Sequence, residues 1–314
     1  MMRYLVTGGA GFIGSHIVEA LVARGDEVVV LDDFSSGQRE NLAGVLDRIE
    51  LIEGSICDPA AVQRACRGVE VVLHQAARTS VPQSVQDPIG THVVNVEGTL
   101  NVLLAARQAK VRRVVVASSA AVYGQSPALP KTESMRPEPV SPYGVTKFVT
   151  ELYAQVFGYA YGLENVSLRY FNVFGPRQDA RSPYSGVLSK FCTALRTGET
   201  PKIYGDGTQS RDFVYVDNVV QANLLASQAP GVSGMVFNIG TGARISLNEL
   251  LDCLTRISGA SVSPAYLPPR AGDIQHSQAD ISRARQYLGY RPQVSFEEGL
   301  RRTWAWYRQH SSAD

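Results

Sequence analysis

The stretch VTGGAGFIG, residues 6–14, stands between two apolar segments of different period. Before it, Arg3–Thr7 predicts a short buried strand, and after it Phe12–Arg24 carries apolar residues at helical spacing. Glycines 9, 11 and 14 match the pattern Gly-x-Gly-x-x-Gly, and glycines 8, 11 and 14 match a wider spacing. Glycine allows the tight turn and lets the backbone approach a pyrophosphate, which the N–H groups of the helix N-terminus then bind. The stretch therefore predicts a dinucleotide-binding turn.

An acidic residue in the expected place supports this prediction. Asp32 follows the Val-rich second strand, Glu27–Leu31. In dinucleotide-binding folds an acid about 20 residues after the glycines accepts a hydrogen bond from the ribose 2′-hydroxyl. A carboxylate there repels a 2′-phosphate, so Asp32 favours NAD over NADP.

Short apolar strands continue to alternate with amphipathic helices as far as Asn172. Such alternation implies a parallel sheet with helices on both faces. The sequence thus predicts an α/β fold, with a Rossmann-type doubly wound parallel sheet that binds NAD and holds the catalytic groups in residues 1–172. Residues 173–314 are expected to form a smaller C-terminal lobe, mainly for substrate binding, with some segments that cross back. Further strands are expected at 50–53, 70–73, 113–118 and 166–170. Helices are expected at 59–66, 91–108, 143–159, 186–196, 217–227, 246–257 and 281–288. Residues 201–217 are expected to form a loop with a short strand, and residues 264–272 are expected to be irregular.

Composition narrows the range of partners. The chain has 314 residues, and its net charge of +1 gives no basic surface of the kind that nucleic acid or a membrane attracts. Four scattered cysteines form no Cys-x-x-Cys pair, and no apolar run approaches the length of a membrane span. We therefore expect a cytoplasmic protein with a small-molecule substrate, and with no metal, nucleic acid or membrane partner.

Two further segments are expected to meet at the carboxyl ends of the strands, where ligands bind in such sheets. Ser118 and Ser119 end the predicted strand at 113–118, and Tyr143 and Lys147 share one face of a helix at i, i+4. A phenol titrates near ~10, so a neighbouring ammonium and a nicotinamide cation are needed to favour the phenolate. Tyr143 then accepts a proton while a hydride leaves the same secondary alcohol.

Asp58 fits two roles. It follows the third predicted strand, where an adenine lies in a doubly wound sheet. It also precedes Pro59 at the start of a predicted helix, which is the arrangement of an N-cap.

From Tyr4 to about Tyr307 the chain resembles the extended short-chain dehydrogenase/reductase family, and within it the nucleotide-sugar 4-epimerases. Besides Asp32, the resemblance is carried by TGGAGFIG at 7–14, SSAAVYG at 118–124, YGVTK at 143–147, LRYFNVFGPRQ at 168–178, GDGTQSRDFVYVDN at 205–218 and RAGDIQHSQADIS at 270–282.

The resemblance implies roles for individual residues. Ser119 matches the serine that hydrogen-bonds the reacting oxygen, Tyr143 matches the base, and Lys147 matches the residue that lowers the base's pKa and holds the nicotinamide ribose. Arg211 and Arg270 match the arginines that hold the substrate phosphates, which suits a planar guanidinium. The expected substrate contacts are Ser80, Ser119, Asn172, Val187, Tyr204, Arg211, Arg270, Asp273 and Ser277. The expected NAD contacts are Gly8, Gly11, Phe12, Ile13, Gly14, Asp32, Ile56, Asp58, Ala76, Ser118, Tyr143, Lys147 and Tyr170.

Alanines at positions 120 and 121 bear on the reaction. In related 4,6-dehydratases a Thr-Asp-Glu triplet precedes Val-Tyr-Gly, and decarboxylases typically carry Glu where Ala121 stands. Epimerisation needs neither of those acids, and the resemblance implies that a serine, a tyrosine, a lysine and NAD suffice for it. C4 of the sugar is oxidised, the 4-keto sugar turns about its diphosphate linkage, and the hydride returns to the opposite face. The resemblance thus implies an NAD-dependent UDP-sugar 4-epimerase. The alternatives are a UDP-glucuronate 4-epimerase, a 5,6-dehydratase or reductase of the same branch, and a non-catalytic NAD sensor on this fold.

The resemblance also bears on the sugar. Ser277 matches a gatekeeper position at which relatives restricted to UDP-glucose and UDP-galactose carry tyrosine. Serine leaves space for an acetamido group, so UDP-GlcNAc and UDP-GalNAc are expected as substrates beside the two hexoses. Segments 78–82 and 184–187 are expected to line this pocket. Arg78 departs from the apolar residue expected there, which leaves a carboxylate-bearing sugar open.

Finally, the resemblance implies a homodimer through a four-helix bundle of residues 91–108 and 143–159 from each subunit. Phe148, Leu152 and Val156 form an apolar stripe separate from Tyr143 and Lys147. The alternative is that this stripe packs within its own subunit.

Overall fold

A computed structural model of the protein describes residues 1–178, 186–260, 262–269 and 274–310. Its strands are β1 (Arg3–Thr7), β2 (Glu27–Asp32), β3 (Glu50–Glu53), β4 (Val71–His74), β5 (Arg113–Ser119), β6 (Glu164–Tyr170), β7 (Asn172–Phe174), β8 (Lys202–Tyr204), β9 (Ser210–Arg211), β10 (Phe213–Tyr215), β11 (Met235–Ile239), β12 (Ile245–Ser246) and β13 (Ala265–Leu267). Its α-helices are α1 (Phe12–Ala23), α2 (Pro59–Ala65), α3 (Val81–Gln86), α4 (Pro88–His92), α5 (Gly98–Gln108), α6 (Pro142–Tyr161), α7 (Val187–Thr197), α8 (Val216–Gln228), α9 (Leu247–Ser258), α10 (Ser282–Leu288) and α11 (Phe296–Gln309).

The largest sheet of the described chain has seven parallel strands in the order β3-β2-β1-β4-β5-β6-β11. The strand order reverses between β1 and β4, which is the switch point beside which doubly wound sheets bind their ligands. The predicted Rossmann-type α/β sheet is therefore confirmed.

Alternate residues of each strand enter opposite cores. Tyr4 and Val6 of β1 pack with α1, α8 and α10 on one face, whereas Leu5 packs with α2, α5 and α6 on the other. This two-residue period of burial on both faces is expected of a parallel sheet covered by two helical layers. The sheet is therefore fixed from both sides, and its strand ends are rigid points.

Helix α6 lies over β5 and β6 and carries both Tyr143 and Lys147. Its start is well defined, because the Ser141 hydroxyl accepts a hydrogen bond from the Gly144 N–H at 3.1 Å and Pro142 occupies the first turn. It ends at Gly162, whose φ of 70° lies in the left-handed region. Caps at both ends fix the register of the helix, and with it the height of Tyr143 and Lys147 above the sheet.

A smaller lobe forms its own core beside the carboxyl ends of the sheet. Apolar side chains of β7, β8, β10, α7, α9 and α11 pack together there, including Phe174, Phe191, Leu254 and Trp304. Three described segments beyond residue 172 return to the large sheet: β11 joins its edge beside β6, α8 packs against α1, and α10 packs against β11 and α8. The assignment of residues 173–314 to substrate binding stays a prediction.

Two sequence-based predictions were wrong in detail. Residues 91–108 were predicted as one helix, but the helical run starts at Pro88 and contains a π-helical turn at Val93–Glu97. Residues 264–272 were predicted to be irregular, but β13 pairs with β8 in parallel, with Leu267 opposite Tyr204. Both differences arise from tertiary contacts that a local pattern does not encode.

No helix in the described ranges combines the length and the apolar character that crossing a bilayer requires.

Candidate active site

Parallel strands bring the predicted site residues to one edge of the sheet. Gly8 follows β1, Asp32 ends β2, Ala76 follows β4, Ser119 ends β5 and Tyr170 ends β6. These residues are far apart in sequence, and they share an edge because all these strands run in the same direction.

The glycine-rich turn is too tight for side chains. Gly8 has a φ of 67°, and a Cβ there would lie 2.7 Å from the backbone nitrogen of Ala76. A Cβ on Gly14 would lie 2.1 Å from the carbonyl oxygen of Gly8. Gly11 is the N-cap of α1, and the first N–H groups of an α-helix have no acceptor within the helix. This cradle fits a pyrophosphate, and NAD is a ligand that presents one.

Asp32 is held rigidly at the end of β2. Its carboxylate accepts hydrogen bonds from the Ala10 N–H at 2.8 Å and the Phe34 N–H at 2.9 Å, one on each oxygen. Burial raises the pKa of this carboxyl, and the two amide bonds oppose that shift. Each oxygen retains a lone pair, so the carboxylate can accept the ribose hydroxyls of NAD.

Ile56 and Asp58, the predicted NAD contacts that follow β3, also have structural roles. The Asp58 carboxylate accepts a hydrogen bond from the Ala60 N–H at 2.9 Å, which confirms the N-cap alternative. Ile56 is buried in the core, and its carbonyl accepts a hydrogen bond from the Asn101 amide at 3.0 Å. Contact between these residues and the adenine stays a prediction.

Tyr143 and Lys147 lie buried side by side. The Lys147 ammonium donates a hydrogen bond to the Ala117 carbonyl at 2.8 Å and lies 5.9 Å from the centre of the Tyr143 ring. Burial lowers the pKa of Lys147 to about 8, an effect that the Glu151 carboxylate opposes. Burial raises the pKa of Tyr143, and the Ser119 hydroxyl, within hydrogen-bonding reach of the phenol, opposes that shift. Ser119, Tyr143 and Lys147 therefore meet, as the sequence predicted.

The side chain of Ser118, one of the predicted NAD contacts, is directed towards Glu151 on α6, and its contact with NAD stays a prediction. Its hydroxyl is buried and donates a hydrogen bond to the Glu151 carboxylate, which also binds the Arg169 guanidinium through two hydrogen bonds. Neither Glu151 nor Arg169 was predicted from the sequence. The spacing of Tyr143, Lys147 and Glu151 at i, i+4, i+8 was the available signal, because it places a carboxylate on the inner face of α6.

Arg78, in the segment that is predicted to line the sugar pocket, is held by Asp87 and Asn95. Its guanidinium lies 2.6 Å from the Asp87 carboxylate. Its backbone N–H donates to Asn95, whose side-chain amide donates in turn to the Arg78 carbonyl and to the Thr146 hydroxyl. Asn95, which sequence analysis also missed, thus ties this loop to α6 beside Lys147.

The structure describes six more of the predicted substrate contacts, whose contact with a substrate stays a prediction. Asn172 is exposed at the start of β7, and the half-buried Arg211 guanidinium donates to the Ser210 carbonyl at 2.9 Å. Ser277 is buried, and its N–H donates to the Ser210 carbonyl at 3.0 Å. Ser80 caps α3, Val187 begins α7 and Tyr204 ends β8. Arg270 and Asp273 lie outside the described residues.

Together these groups can bind a dinucleotide and move a proton at an alcohol. Within the described ranges, no group of three or more His, Cys, Asp or Glu side chains is placed to hold a metal ion. Tyr143, with the Ser119 hydroxyl within hydrogen-bonding reach and Lys147 beside it, is placed to transfer a proton, and the catalytic roles of the three residues stay predictions.

Known proteins support this interpretation. The NAD dependent epimerase/dehydratase family matches residues 4–240. The chain is 43% identical over 314 residues to a UDP-glucose 4-epimerase of Mycolicibacterium smegmatis, covering 99% of this chain and 100% of that one. The chain belongs to this family. NAD is its cofactor, and the predicted resemblance is confirmed.

Solved structures of similar proteins agree. A UDP-N-acetylglucosamine 4-epimerase from Methanobrevibacter ruminantium, in complex with UDP-N-acetylmuramic acid, superimposes with a TM-score of 0.94 at 40% identity over 98% of both chains. A UDP-glucose 4-epimerase from Thermus thermophilus, in complex with NAD, gives a TM-score of 0.90 at 41% identity over 98% of this chain and 99% of that one. This member of the epimerase/dehydratase family is thus an NAD-dependent enzyme.

Replacing Asp32 with alanine is expected to weaken NAD binding about 10- to 100-fold, because a charged hydrogen-bond acceptor for the ribose is lost. The preference for NAD over NADP is expected to fall as well, since the repulsion of a 2′-phosphate is removed. Binding titrations with both cofactors measure the two effects. Glu27→Ala, at the opposite end of β2, is the matched control. An unchanged cofactor preference in Asp32→Ala would remove the ribose role.

Proposed function

We propose that the protein is a UDP-sugar 4-epimerase that inverts C4 through a transient 4-keto sugar. The observation that carries this proposal is the meeting of Ser119, Tyr143 and Lys147 at the carboxyl end of β5, beside the glycine-rich turn. The relatives described above, named as UDP-sugar 4-epimerases and similar over nearly the whole chain, support it.

In this proposal Tyr143 is the base. Its phenolate accepts the proton of the C4 hydroxyl, while the Ser119 hydroxyl hydrogen-bonds the same oxygen and steadies its changing charge. Lys147 keeps the phenolate accessible near neutral pH by its positive charge. When bound, NAD accepts the hydride from C4 and returns it. Tyr143 then gives its proton back to the oxygen on the inverted carbon, so protons and electrons balance over one turnover.

Two alanines favour epimerisation over elimination. Ala120 and Ala121 begin the short helical turn after Ser119, where a dehydratase needs its acid and base. A methyl group has no proton to transfer near neutral pH, so water is not eliminated from C5 and C6.

A reductase would consume reduced cofactor, whereas the proposed cycle is redox-neutral. Turnover without added NADH separates the two. A non-catalytic sensor is disfavoured, because the buried Tyr143 and Lys147 pair is costly to keep without use.

The pairing of Arg78 supports neutral sugars rather than uronic acids as substrates. Arg78 is the basic residue that left a carboxylate-bearing sugar open, but its guanidinium is paired with Asp87. The Arg78 guanidinium, in turn, contributes to the lowered pKa of Asp87, after the Gly90 backbone amide. We therefore propose that both hexoses and their N-acetylated forms are substrates.

Exposed apolar side chains support a homodimer. On α6, Leu152 and Val156 are exposed, and Tyr159 is 96% exposed. Phe148 of the predicted stripe packs against the core of its own subunit instead. Leu104 on the adjacent α5 extends the exposed surface. We propose that this α5/α6 surface pairs with its copy in a four-helix bundle.

The four cysteines carry free thiols, which fits a reducing compartment. We propose that the enzyme works in the cytoplasm.

The Tyr143→Phe variant is expected to lose about 10²–10⁴-fold in kcat, because the proton acceptor is absent while the ring still fills its place. Its NAD affinity and melting temperature are expected to stay close to those of the wild type. Epimerisation is followed by NMR with each UDP-hexose. Near wild-type turnover would show that another group is the base.

The Ser277→Tyr variant is expected to lose kcat/KM on UDP-GlcNAc and UDP-GalNAc by about 100-fold or more, because a tyrosine ring fills the space of the acetamido group. Much of the activity on UDP-glucose and UDP-galactose is expected to remain. Ser277→Ala is the matched control and should keep both substrate pairs. Equal losses on both pairs, or no N-acetyl activity in the wild type, would contradict the gatekeeper role.

The Leu152→Asp/Val156→Asp variant is expected to sediment as a monomer, since two charges on the α5/α6 surface would be buried unpaired in a dimer. Sedimentation velocity measures the oligomeric state. Leu46→Asp, at a similarly exposed leucine outside this surface, should leave it unchanged. A dimer that survives both substitutions would place the interface elsewhere.

A further inference from the structure

A buried carboxylate lies one helical turn beyond Lys147. Glu151 is on the inner face of α6 and is 1% exposed. A carboxylate in such a place is costly unless it is paired and fully hydrogen-bonded. The proposed catalytic cycle assigns no step to it, so its presence beside the reacting groups needs a reason.

The partners of Glu151 come from two strands of the sheet. Arg169, on β6 and also buried, donates from Nε at 2.9 Å and from Nη2 at 2.7 Å to the two carboxylate oxygens. Ser118, on β5, donates through its hydroxyl. The Arg169 guanidinium also stacks over the Tyr123 ring at 4.8 Å. One carboxylate thus joins α6 to the carboxyl ends of both β5 and β6.

These strand ends carry the proposed chemistry. Ser119 is the residue after Ser118 on β5, and Tyr170 is the residue after Arg169 on β6. Lys147 donates to the Ala117 carbonyl of β5. The separation between Ser119 on the sheet and Tyr143 on the helix therefore depends on how Glu151 ties the two elements together.

The charges around Lys147 give Glu151 a second effect. Tyr143 and Glu151 are its neighbours on α6, His74 faces it from β4, and Arg169 with Tyr123 lies behind Glu151. His74 is neutral, because burial and then the Lys147 charge lower its pKa to about 3. Glu151 is therefore the anion next to the ammonium, and its charge opposes the loss of the Lys147 proton.

We propose that Glu151 is a positioning residue for the proposed reaction: with Arg169 it fixes α6 against the ends of β5 and β6, and it holds Lys147 in the ammonium form at the working pH. This inference rests on the proposed roles of Tyr143 and Lys147. No bond to substrate or cofactor is made by Glu151, which acts through Lys147.

The decisive measurement is the pH profile of kcat. The reactive state pairs a Tyr143 phenolate with a Lys147 ammonium, so kcat falls at high pH when the ammonium loses its proton. Glu151→Gln keeps the hydrogen-bond acceptor but removes the charge. The falling limb is therefore expected to move to lower pH by about one unit, with a plateau about 10-fold lower. Glu151→Asp keeps the charge, so its limb should stay near the wild-type position even where kcat drops.

A matched control lies at the other end of the same strands. Glu164 on β6 binds the buried Arg113 of β5 through two hydrogen bonds, at 3.0 Å and 2.7 Å. Glu164→Gln makes the same chemical change in an ion pair that joins the same two strands, remote from Lys147. Its pH profile is expected to match the wild type.

Arg169→Gln is a second test, and it replaces Glu151→Gln if that variant does not fold. Without its guanidinium partner the buried carboxylate is expected to bind a proton, so the falling limb is expected to move to lower pH, as in Glu151→Gln. If Glu151 contributed to stability alone, these variants would have a lower melting temperature. The falling limb of their kcat pH profile would then stay at the wild-type pH. An unmoved limb in both Glu151→Gln and Arg169→Gln, or an equal movement in Glu164→Gln, would overturn the proposal.

A second readout does not depend on turnover. The tyrosinate absorbance of the NAD complex is measured as a function of pH. Subtracting the same titration of Tyr143→Phe isolates the Tyr143 phenol among the 14 tyrosines. In Glu151→Gln the Tyr143 phenolate is expected to form less fully near neutral pH, because its ammonium partner is more easily lost. Wild-type turnover in Tyr143→Phe would overturn the proposed function. If the enzyme requires Tyr143, but Glu151→Gln changes neither the falling limb of kcat nor the titration of the Tyr143 phenol, this inference alone is overturned.

Discussion

The buried ammonium of Lys147 is the constraint on which the rest of the site depends. Removing a charge from water costs several kcal/mol unless the protein supplies compensating partners. This chain supplies the Ala117 carbonyl directly and the Glu151 carboxylate one helical turn away. Glu151 in turn requires Arg169, so burying the Lys147 cation is accompanied by a buried ion pair between Glu151 and Arg169. The polar interior beneath α6 is thus a consequence of placing a cation beside Tyr143.

This arrangement divides β5 into an apolar middle and a polar carboxyl end. The middle of β5, Val114–Val116, is buried and apolar on both faces and fixes the strand within the sheet. Its carboxyl end, Ala117–Ser119, provides a carbonyl for Lys147, a hydroxyl for Glu151 and a hydroxyl near the Tyr143 phenol. The apolar part supplies stability by excluding water, and the polar end uses the resulting rigidity to hold short hydrogen bonds. Flexible loops would not hold three groups of a single site at such fixed separations.

Local patterns sufficed for the sheet, the glycine-rich turn and the pairing of Tyr143 with Lys147, because each has a short-range signature: an apolar run, a glycine spacing or an i, i+4 pair. The same patterns did not identify Glu151 with Arg169 or Asn95 with Arg78. These partners lie on different elements, and a buried Glu on a helix looks in sequence like an exposed one. Strand β11 was missed for a related reason, since five residues acquire strand structure only by pairing with β6.

The segment that carries Ser277 is fixed from three sides, which bears on how specificity can arise. The Ser277 N–H is bound to the Ser210 carbonyl, and Lys131 pairs with the carbonyl of Gln278 and the N–H of Asp280. The Asp212 carboxylate accepts the Ala279 N–H while it also binds Thr241. Because the backbone from Ser277 to Asp280 is held by these bonds, a change of side chain at position 277 is not expected to move this segment. Under the proposed gatekeeper role, the volume of the side chain at position 277 therefore sets the size limit, and a single substitution changes that limit without rebuilding the pocket.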